Sequence, residues 1–253
     1  MDRILETRDI TVKYGENVIL NGISADFKSG VMTAVIGSNG VGKTTYLKSI
    51  AGLINSSGKT ALCEDGIRTF NKKEIAYVPQ LGALNTKLTV FEMVLLGLVN
   101  NLKWHVTDEQ IDKVCEIMKE LGIERISKQP FNTLSGGQKQ LVSMAQSLIG
   151  RPKVLLLDEP TSALDLRHQL IVMDIAKKYT EENNVVTIFI VHDLMLASRY
   201  GKNIMVLHNG GVFGYDSADK ILTPELIETV YGVKARVISV EEGYHLVLPL
   251  SPM

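Results

Sequence analysis

The chain is 253 residues long, 45% hydrophobic and 22% charged, the composition of an ordinary globular protein that can bury a sizeable core without disulfide or metal staples. A formal net charge of -1 argues against a polyanion-binding surface, and so against nucleic acid as a partner. Cys63 and Cys115 stand far apart without metal-ligand spacing and read as buried or half-buried free thiols, a usage that suits a reducing cytoplasm. The opening MDRILETRDI lacks the apolar stretch of a signal peptide, and no window approaches the ~18 uncharged apolar residues of a membrane span, so any work at a membrane is expected to be peripheral.

From Ile4 to Phe27 apolar and polar residues alternate through ITVKY, NVIL and ISADF, broken at Gly15 and at Asn21-Gly22. This predicts an antiparallel strand layer with two turns ahead of the core. Tyr14 ends the first run, where an aromatic ring either stacks on a flat base or caps a core. Val31 to Ile36 is a continuous apolar run that stops at GSNGVGKTT, Gly37 to Thr45, and restarts at helical spacing with Leu47, Ile50, Ala51 and Ile54. Strand, glycine loop and helix in that order are the context of a phosphate-binding loop. Across Gly37, Ser38, Asn39, Gly40, Val41 and Gly42 the glycines let backbone N–H groups turn toward phosphates, and the following helix adds its positive end. Lys43 is placed to reach the β- and γ-phosphates and the Thr44 hydroxyl to ligate Mg²⁺, with Thr45 completing the motif. A nucleoside triphosphate is the implied ligand.

Ser56-Ser57-Gly58 punctuates the chain, and short strands are expected around Thr60 to Cys63 and Ile75 to Val78, the second ending in Pro79-Gln80. A glutamine at such a strand end can reach a metal or a water. Residues 81 to about 133 then read as a helical insertion in an α/β chain. Thr89 with Glu92 and Thr107 with Gln110 each fit a capping box. The second helix should place Ile111, Val114, Cys115, Met118 and Leu121 on one face and close at Gly122, with Trp104 and His105 in the preceding loop. LSGGQ, Leu134 to Gln138, opens a helix carrying Leu141, Met144, Ala145 and Leu148; hydroxyl and N–H groups converging there make a second anion-binding end.

KVLLLDEP, Lys153 to Pro160, describes a buried parallel strand delivering two carboxylates to its C-terminal edge, where α/β folds place ligands. Asp158 suits a water-mediated hold on Mg²⁺, and Glu159 could polarise an attacking water. Ser162 to Asp165 leads into a helix through Leu170, Ile171, Ile175 and Tyr179, and the strand Val185 to Val191 ends in His192-Asp193. By analogy with Asp158, His192 at a strand terminus is a candidate γ-phosphate contact. A hairpin across Asn209-Gly210, a short helix from Pro224 to Tyr231 and a strand pair around Gly243 complete the chain.

The ordered set Tyr14, GSNGVGKTT, Gln80, LSGGQ, LLLDEP, SALD and His192-Asp193 resembles the ATPase subunit of ABC transporters over nearly the whole length. The resemblance implies an α/β P-loop core of ABC-ATPase type, a single domain over 1–253. Within it, 1–80 and 151–253 would form the nucleotide-binding core with an N-terminal antiparallel layer, and 81–150 a helical subdomain. It implies ATP and Mg²⁺ as cofactors. Tyr14 would stack on adenine, Gly37 to Thr45 hold the phosphates, and Thr44, Gln80 and Asp158 serve the metal; Glu159 would be the catalytic carboxylate and His192 the γ-phosphate switch. Members of the family close as head-to-tail dimers, so Ser135, Gly136, Gly137 and Gln138 would meet nucleotide held by a second copy or a related ATPase. The stretches QPFNTLSGGQKQLV, TSALDLRHQL, HDLMLASRYG and LTPELIETVYGV are similar to the ATPases of importers for iron chelates, including siderophores, haem and cobalamin. That implies an integral membrane permease as partner, an external substrate-binding protein, and a place on the cytoplasmic face of the membrane. A permease helix would dock near Gln80 to Asn101, where Leu84, Leu88, Phe91 and Val94 are the expected apolar face. A soluble ATPase of the same fold, serving iron–sulfur cluster assembly, is the alternative. A DNA-repair ATPase is disfavoured because the insertion is too short and lacks heptads. Lys139 and Gln146 stand where relatives often carry arginine, and lysine lacks its bidentate fork.

Overall fold

The computed structural model describes residues 2–80, 85–101, 106–241 and 243–253 and, at 99–101, the backbone alone. Leu84, Trp104 and His105 lie outside the described residues. At the N-terminus β1 (Arg3–Tyr14) and β2 (Asn17–Lys28) form an antiparallel pair that turns at Gly15. Asn21-Gly22 is not the second turn that the alternation suggested. Ile10 faces Ile23 while Val12 faces Leu20, so β2 carries one extra residue here, and Gly22, at φ 67°, absorbs it as a bulge inside one strand.

The chain continues through β3 (Met32–Ile36), α1 (Lys43–Ile50), β4 (Ser57–Glu64) and β5 (Ile67–Thr69), the last a short strand that the sequence did not announce. Strands β1, β2, β4 and β5 make an antiparallel sheet in the order β2-β1-β4-β5. Next come β6 (Ile75–Val78), α2 (Val90–Leu95), a 3-10 segment Leu96–Asn101, α3 (Asp108–Glu120) and α4 (Gly136–Leu148). Thr89, Thr107 and Ser135 each close a complete capping box, with Glu92, Gln110 and Gln138. In α3 the buried stripe is Val114, Ile117 and Met118, continued by Leu121. Cys115 faces outward, because a period of 3.6 residues carries it well off the stripe that Ile117 fixes, and Ile111, at the stripe's edge in the first turn of α3, is 38% exposed. The apolar face expected from α2 is likewise corrected: Val94 is fully buried and Phe91 packs on the core, which leaves Leu88 and Leu96 exposed.

The second half supplies β7 (Val154–Asp158), α5 (Leu166–Asn183), β8 (Val186–Ile190), α6 (Leu194–Tyr200), β9 (Asn203–His208) and β10 (Gly211–Ser217). These strands join β3 and β6 in a six-stranded sheet ordered β10-β9-β3-β8-β7-β6, parallel except for β10. Its continuous apolar runs divide by parity. Ala34, Ile36, Leu155, Leu157 and Phe189 face the helices, and Val35, Val154, Leu156, Ile188 and Ile190 face α1 and the antiparallel layer. Each fully buried aliphatic side chain stabilises by ~1.5–3 kcal/mol, so this two-sided burial outweighs any single polar contact in fixing strand register.

The two layers are also joined electrostatically. Glu64 on β4 accepts hydrogen bonds from Lys153 Nζ at 2.7 Å and Arg3 Nε at 2.8 Å, and Lys153, just before β7, also reaches Glu74 at 3.2 Å. After α7 (Ala218–Ile221) and α8 (Pro224–Tyr231), the hairpin of β11 (Val233–Ser239) and β12 (His245–Pro252) packs on α8 and α6. His245 anchors it: its backbone N–H donates to Ser198 Oγ at 2.7 Å, and its ring lies 2.8 Å from Asp219 and 3.1 Å from Ser239.

Two expected outcomes follow. A Cβ at Gly97 would collide with the Gln146 carbonyl and lie 2.5 Å from Ile149 Cγ2, so Gly97→Ala should lower stability by ~1–3 kcal/mol, read as a lower urea midpoint at unchanged slope. Lys153 and then Arg3 hold the Glu64 carboxyl below its ordinary 4.5, so its contribution is present above that value and is lost as pH falls through the lowered one. Unfolding midpoints measured down a pH series should therefore drop less steeply on the acid side in Glu64→Gln than in the parent chain.

Candidate functional site

Gly37 to Gly42 bridge β3 and α1 as a loop pressed onto its neighbours. Gly37 takes φ 147°, and a Cβ there would strike the carbonyl oxygen of Leu207 at the end of β9, so only glycine fits. Lys43, the first residue of α1 and only 6% exposed, donates from Nζ to the carbonyls of Gly37 at 2.8 Å and Ser38 at 3.0 Å. Burial lowers its pKa, with the charges of Glu159 and Asp158 acting the other way.

Asp158, the last residue of β7, is 3% exposed, and both of its oxygens have donors. Thr44 Oγ1 donates to Oδ1 at 2.8 Å and the Tyr77 phenol to Oδ2 at 2.6 Å. Burial first, then the bond to Asp158, pushes the Tyr77 phenol far above its ordinary range, so it serves as a fixed donor. Glu159 follows in the left-handed region at φ 50°, a conformation that turns its side chain off the strand axis. Its Oε1 lies 2.7 Å from His192 Nε2 and its Oε2 accepts from Gln80 Nε2 at 2.9 Å; Gln80 Nε2 also reaches Ser162 Oγ at 3.3 Å.

These groups surround a cavity of about 490 Å³. It is lined by Tyr14, 56% exposed, and Ile19 from the antiparallel layer, by Asn39, Gly40, Gly42, Lys43, Thr44 and Thr45 from the glycine loop and α1, and by Gln80, Glu159 and His192 just past the ends of β6, β7 and β8. Of the residues singled out in the sequence, Gly37, Ser38, Val41 and Asp158 do not line the cavity. The arrangement offers amides and an ammonium for phosphates, and a carboxylate held by two neighbours for a water. Thr44, Asp158 and the Gln80 amide oxygen are hard oxygen donors, which suit Mg²⁺. Among the described residues no group of three or more His, Cys, Asp or Glu is placed to hold a metal ion.

Ser135, Gly136, Gly137 and Gln138 are elsewhere. Ser135 caps α4 and is exposed with Gly136, Gly137 is packed so closely on the His168 ring that a Cβ would overlap it, and none of the four lines the cavity. The LSGGQ end of α4 is therefore not part of this cavity. Sequence reasoning missed Tyr77, Ile19 and Tyr231. The Tyr231 phenol on α8, pushed up to about 12 by burial, takes a hydrogen bond from the Gly37 amide. The available signal was a tyrosine in the otherwise aliphatic IAYV, since a half-buried phenol needs a polar partner.

The family profile described as ABC transporter matches residues 20–162. An uncharacterised ABC transporter ATP-binding protein of Methanocaldococcus jannaschii is 36% identical over 98% of both chains. A hemin import ATP-binding protein of Vibrio parahaemolyticus is 34% identical over 92% of this chain and 93% of its own, and an achromobactin transport ATP-binding protein of Dickeya dadantii is 31% identical over 92% and 90%. Among solved structures, a metal-chelate type ABC transporter in an inward-facing conformation superposes with a TM-score of 0.86 at 25% identity, covering 98% of each chain. A dimeric ATP-binding cassette in a post-hydrolysis state with ADP and Pi gives 0.72 at 28% identity, over 84% of this chain and 98% of that one. Matched by the profile over more than half of its length and by relatives end to end, the chain belongs to the ABC transporter family, whose ATP-binding domains hydrolyse ATP to drive transport.

Proposed function

We propose that the chain energises an importer for an iron chelate, such as a siderophore or haem, or for cobalamin, by binding and hydrolysing ATP in the cavity between Tyr14 and His192. The observation that carries the hydrolytic reading is Glu159, clasped at 2.7 Å by His192 and at 2.9 Å by Gln80 in the cavity that Lys43 also lines. In this reading Tyr14 stacks on the adenine, Gly37 to Gly42 and Thr45 turn amides to the phosphates, and Lys43 exchanges its loop carbonyls for the β- and γ-phosphate oxygens. Thr44 and Asp158, with Gln80, would hold Mg²⁺, which when bound would neutralise phosphate charge. Glu159 accepts the proton of the attacking water while Gln80 orients that water and His192 faces the γ-phosphate.

The separation of Ser135, Gly136, Gly137 and Gln138 from the cavity supports a head-to-tail dimer, in which each chain's α4 end meets nucleotide on the other. Association then becomes a condition of turnover, and ATP binding a closing force. The division into a nucleotide core, 1–80 and 151–253, and a helical subdomain, 81–150, belongs to the same reading. A permease would dock on that subdomain from the cytoplasmic face of the membrane, beside the exposed Leu88 and Leu96, and receive cargo from an external substrate-binding protein. Among the described residues no helix is long and apolar enough to cross a membrane, which suits a peripheral subunit. The relatives named for hemin import and achromobactin transport favour this cargo class over iron–sulfur cluster assembly.

Glu159→Gln keeps the shape and removes the proton acceptor, so it should bind ATP and dimerise, with phosphate release slowed by ~10²–10⁴-fold. Light scattering with ATP and a phosphate-release assay read the two properties separately; hydrolysis at the parent rate takes Glu159 out of the mechanism. Purified gently in detergent, the tagged chain should bring down a polytopic membrane protein in near-equal amount. Recovery of soluble partners alone, under conditions that keep a control membrane complex intact, overturns the transport reading and leaves the ATPase.

A further inference from the structure

Asp158 is buried at the edge of β7, and its carboxylate is oriented by two neighbours of different kinds. One, Thr44, belongs to the phosphate-binding loop and its helix. The other, Tyr77, belongs to β6. In the parallel register Tyr77 pairs with Leu156, and Leu156 and Asp158 share a face of β7. Two residues of strand rise about 6.6 Å, roughly the reach of a tyrosine from its α-carbon to its hydroxyl, and the observed bond of 2.6 Å closes that gap. Serine, threonine or asparagine at 77 would fall short, and phenylalanine would fill the space without a donor.

We propose that Tyr77 is a positioning residue for the divalent cation, holding the Asp158 carboxylate so that Asp158 and Thr44 meet the metal as a preset pair. Thr44 gives its single hydroxyl proton to Asp158 Oδ1, which leaves its lone pairs for a cation. Tyr77 fixes Oδ2, so the carboxylate does not swing when Thr44 turns to the metal. Three residues beyond Tyr77 on the same strand end, Gln80 holds Glu159. One strand end thus positions both the metal pair and the candidate base. Partners standing behind metal ligands fix their orientation and typically account for 10- to 100-fold in metal affinity.

The inference rests on reading the cavity as a metal–nucleotide site, and the measurements separate the two. Mn²⁺ binding to the ADP-bound full chain is followed by electron paramagnetic resonance, and ADP affinity is measured separately in EDTA. Tyr77→Phe is expected to weaken Mn²⁺ about tenfold while ADP affinity in EDTA stays within about twofold. Unchanged Mn²⁺ affinity overturns the proposal. An equal loss of ADP affinity in EDTA also overturns it, since that marks a packing role. A parent chain that binds ADP but no Mn²⁺ overturns the metal reading and this inference together, with the nucleotide reading intact. Independently of how well the variant folds, 3-fluorotyrosine introduced at position 77 of the otherwise unaltered chain should shift its ¹⁹F resonance when Mg²⁺ is added to the ADP complex; a resonance that does not move overturns the proposal.

Discussion

The site depends on the register of one parallel sheet. Val78, Leu157, Phe189, Ala34 and Ile204 lie in a single row across β6, β7, β8, β3 and β9. Gln80 and Glu159 stand two residues past that row, and His192 and Gly37 stand three past it. Strand register thus brings the backbones of Glu159, Gln80 and His192 within reach of one another, and the side-chain hydrogen bonds close the remaining gap. Alternate residues of the same strands fill two different cores, so a slip of one residue would invert every strand's burial and disperse the polar tips at once. The energy that protects the site is the burial of aliphatic side chains remote from it.

With the frame fixed, the acidic groups are handled individually. Asp158 is enclosed and has both oxygens satisfied, because an unpaired carboxylate at that depth is costly. Glu159 sits one residue further out with a left-handed backbone, and its carboxylate meets His192 and Gln80 instead of Thr44 and Tyr77. Adjacent carboxylates thereby acquire different surroundings. Lys43, close enough to feel both, keeps its ammonium on the loop's carbonyls, which preserves the loop's curvature.

Much of this was legible in the residues. Apolar runs ending in DE and HD announced strands that deliver polar groups to one edge, the threonine capping boxes fixed where α2 and α3 begin, and LSGGQ marked the start of α4. What escaped was decided by geometry between elements. Asn21-Gly22 carries a turn signature, yet β1 holds the strand straight and converts it to a bulge. Cys115 and Ile111 fit a loose apolar stripe, but α4 and α2 choose Val114, Ile117 and Met118. Tyr77 gave no motif at all, because its role is set by a register across two strands separated by most of the helical region. That LSGGQ does not line the cavity beside the glycine loop is likewise a fact of three dimensions that no spacing encodes.

The order β10-β9-β3-β8-β7-β6 has a consequence for how the protein is made. Strand β3, which carries the phosphate-binding loop, is among the first to leave the ribosome, but both of its sheet neighbours are late, β8 beginning at Val186 and β9 at Asn203. With about 150 residues to be added before β8 arrives, and synthesis at ~5–20 residues per second, MTAVI waits roughly 8–30 s without a sheet partner. Only the antiparallel layer and α1 can cover it meanwhile. The N-terminal layer thus acts as an internal shelter for the nascent chain, shielding one face of this apolar strand until the second half arrives.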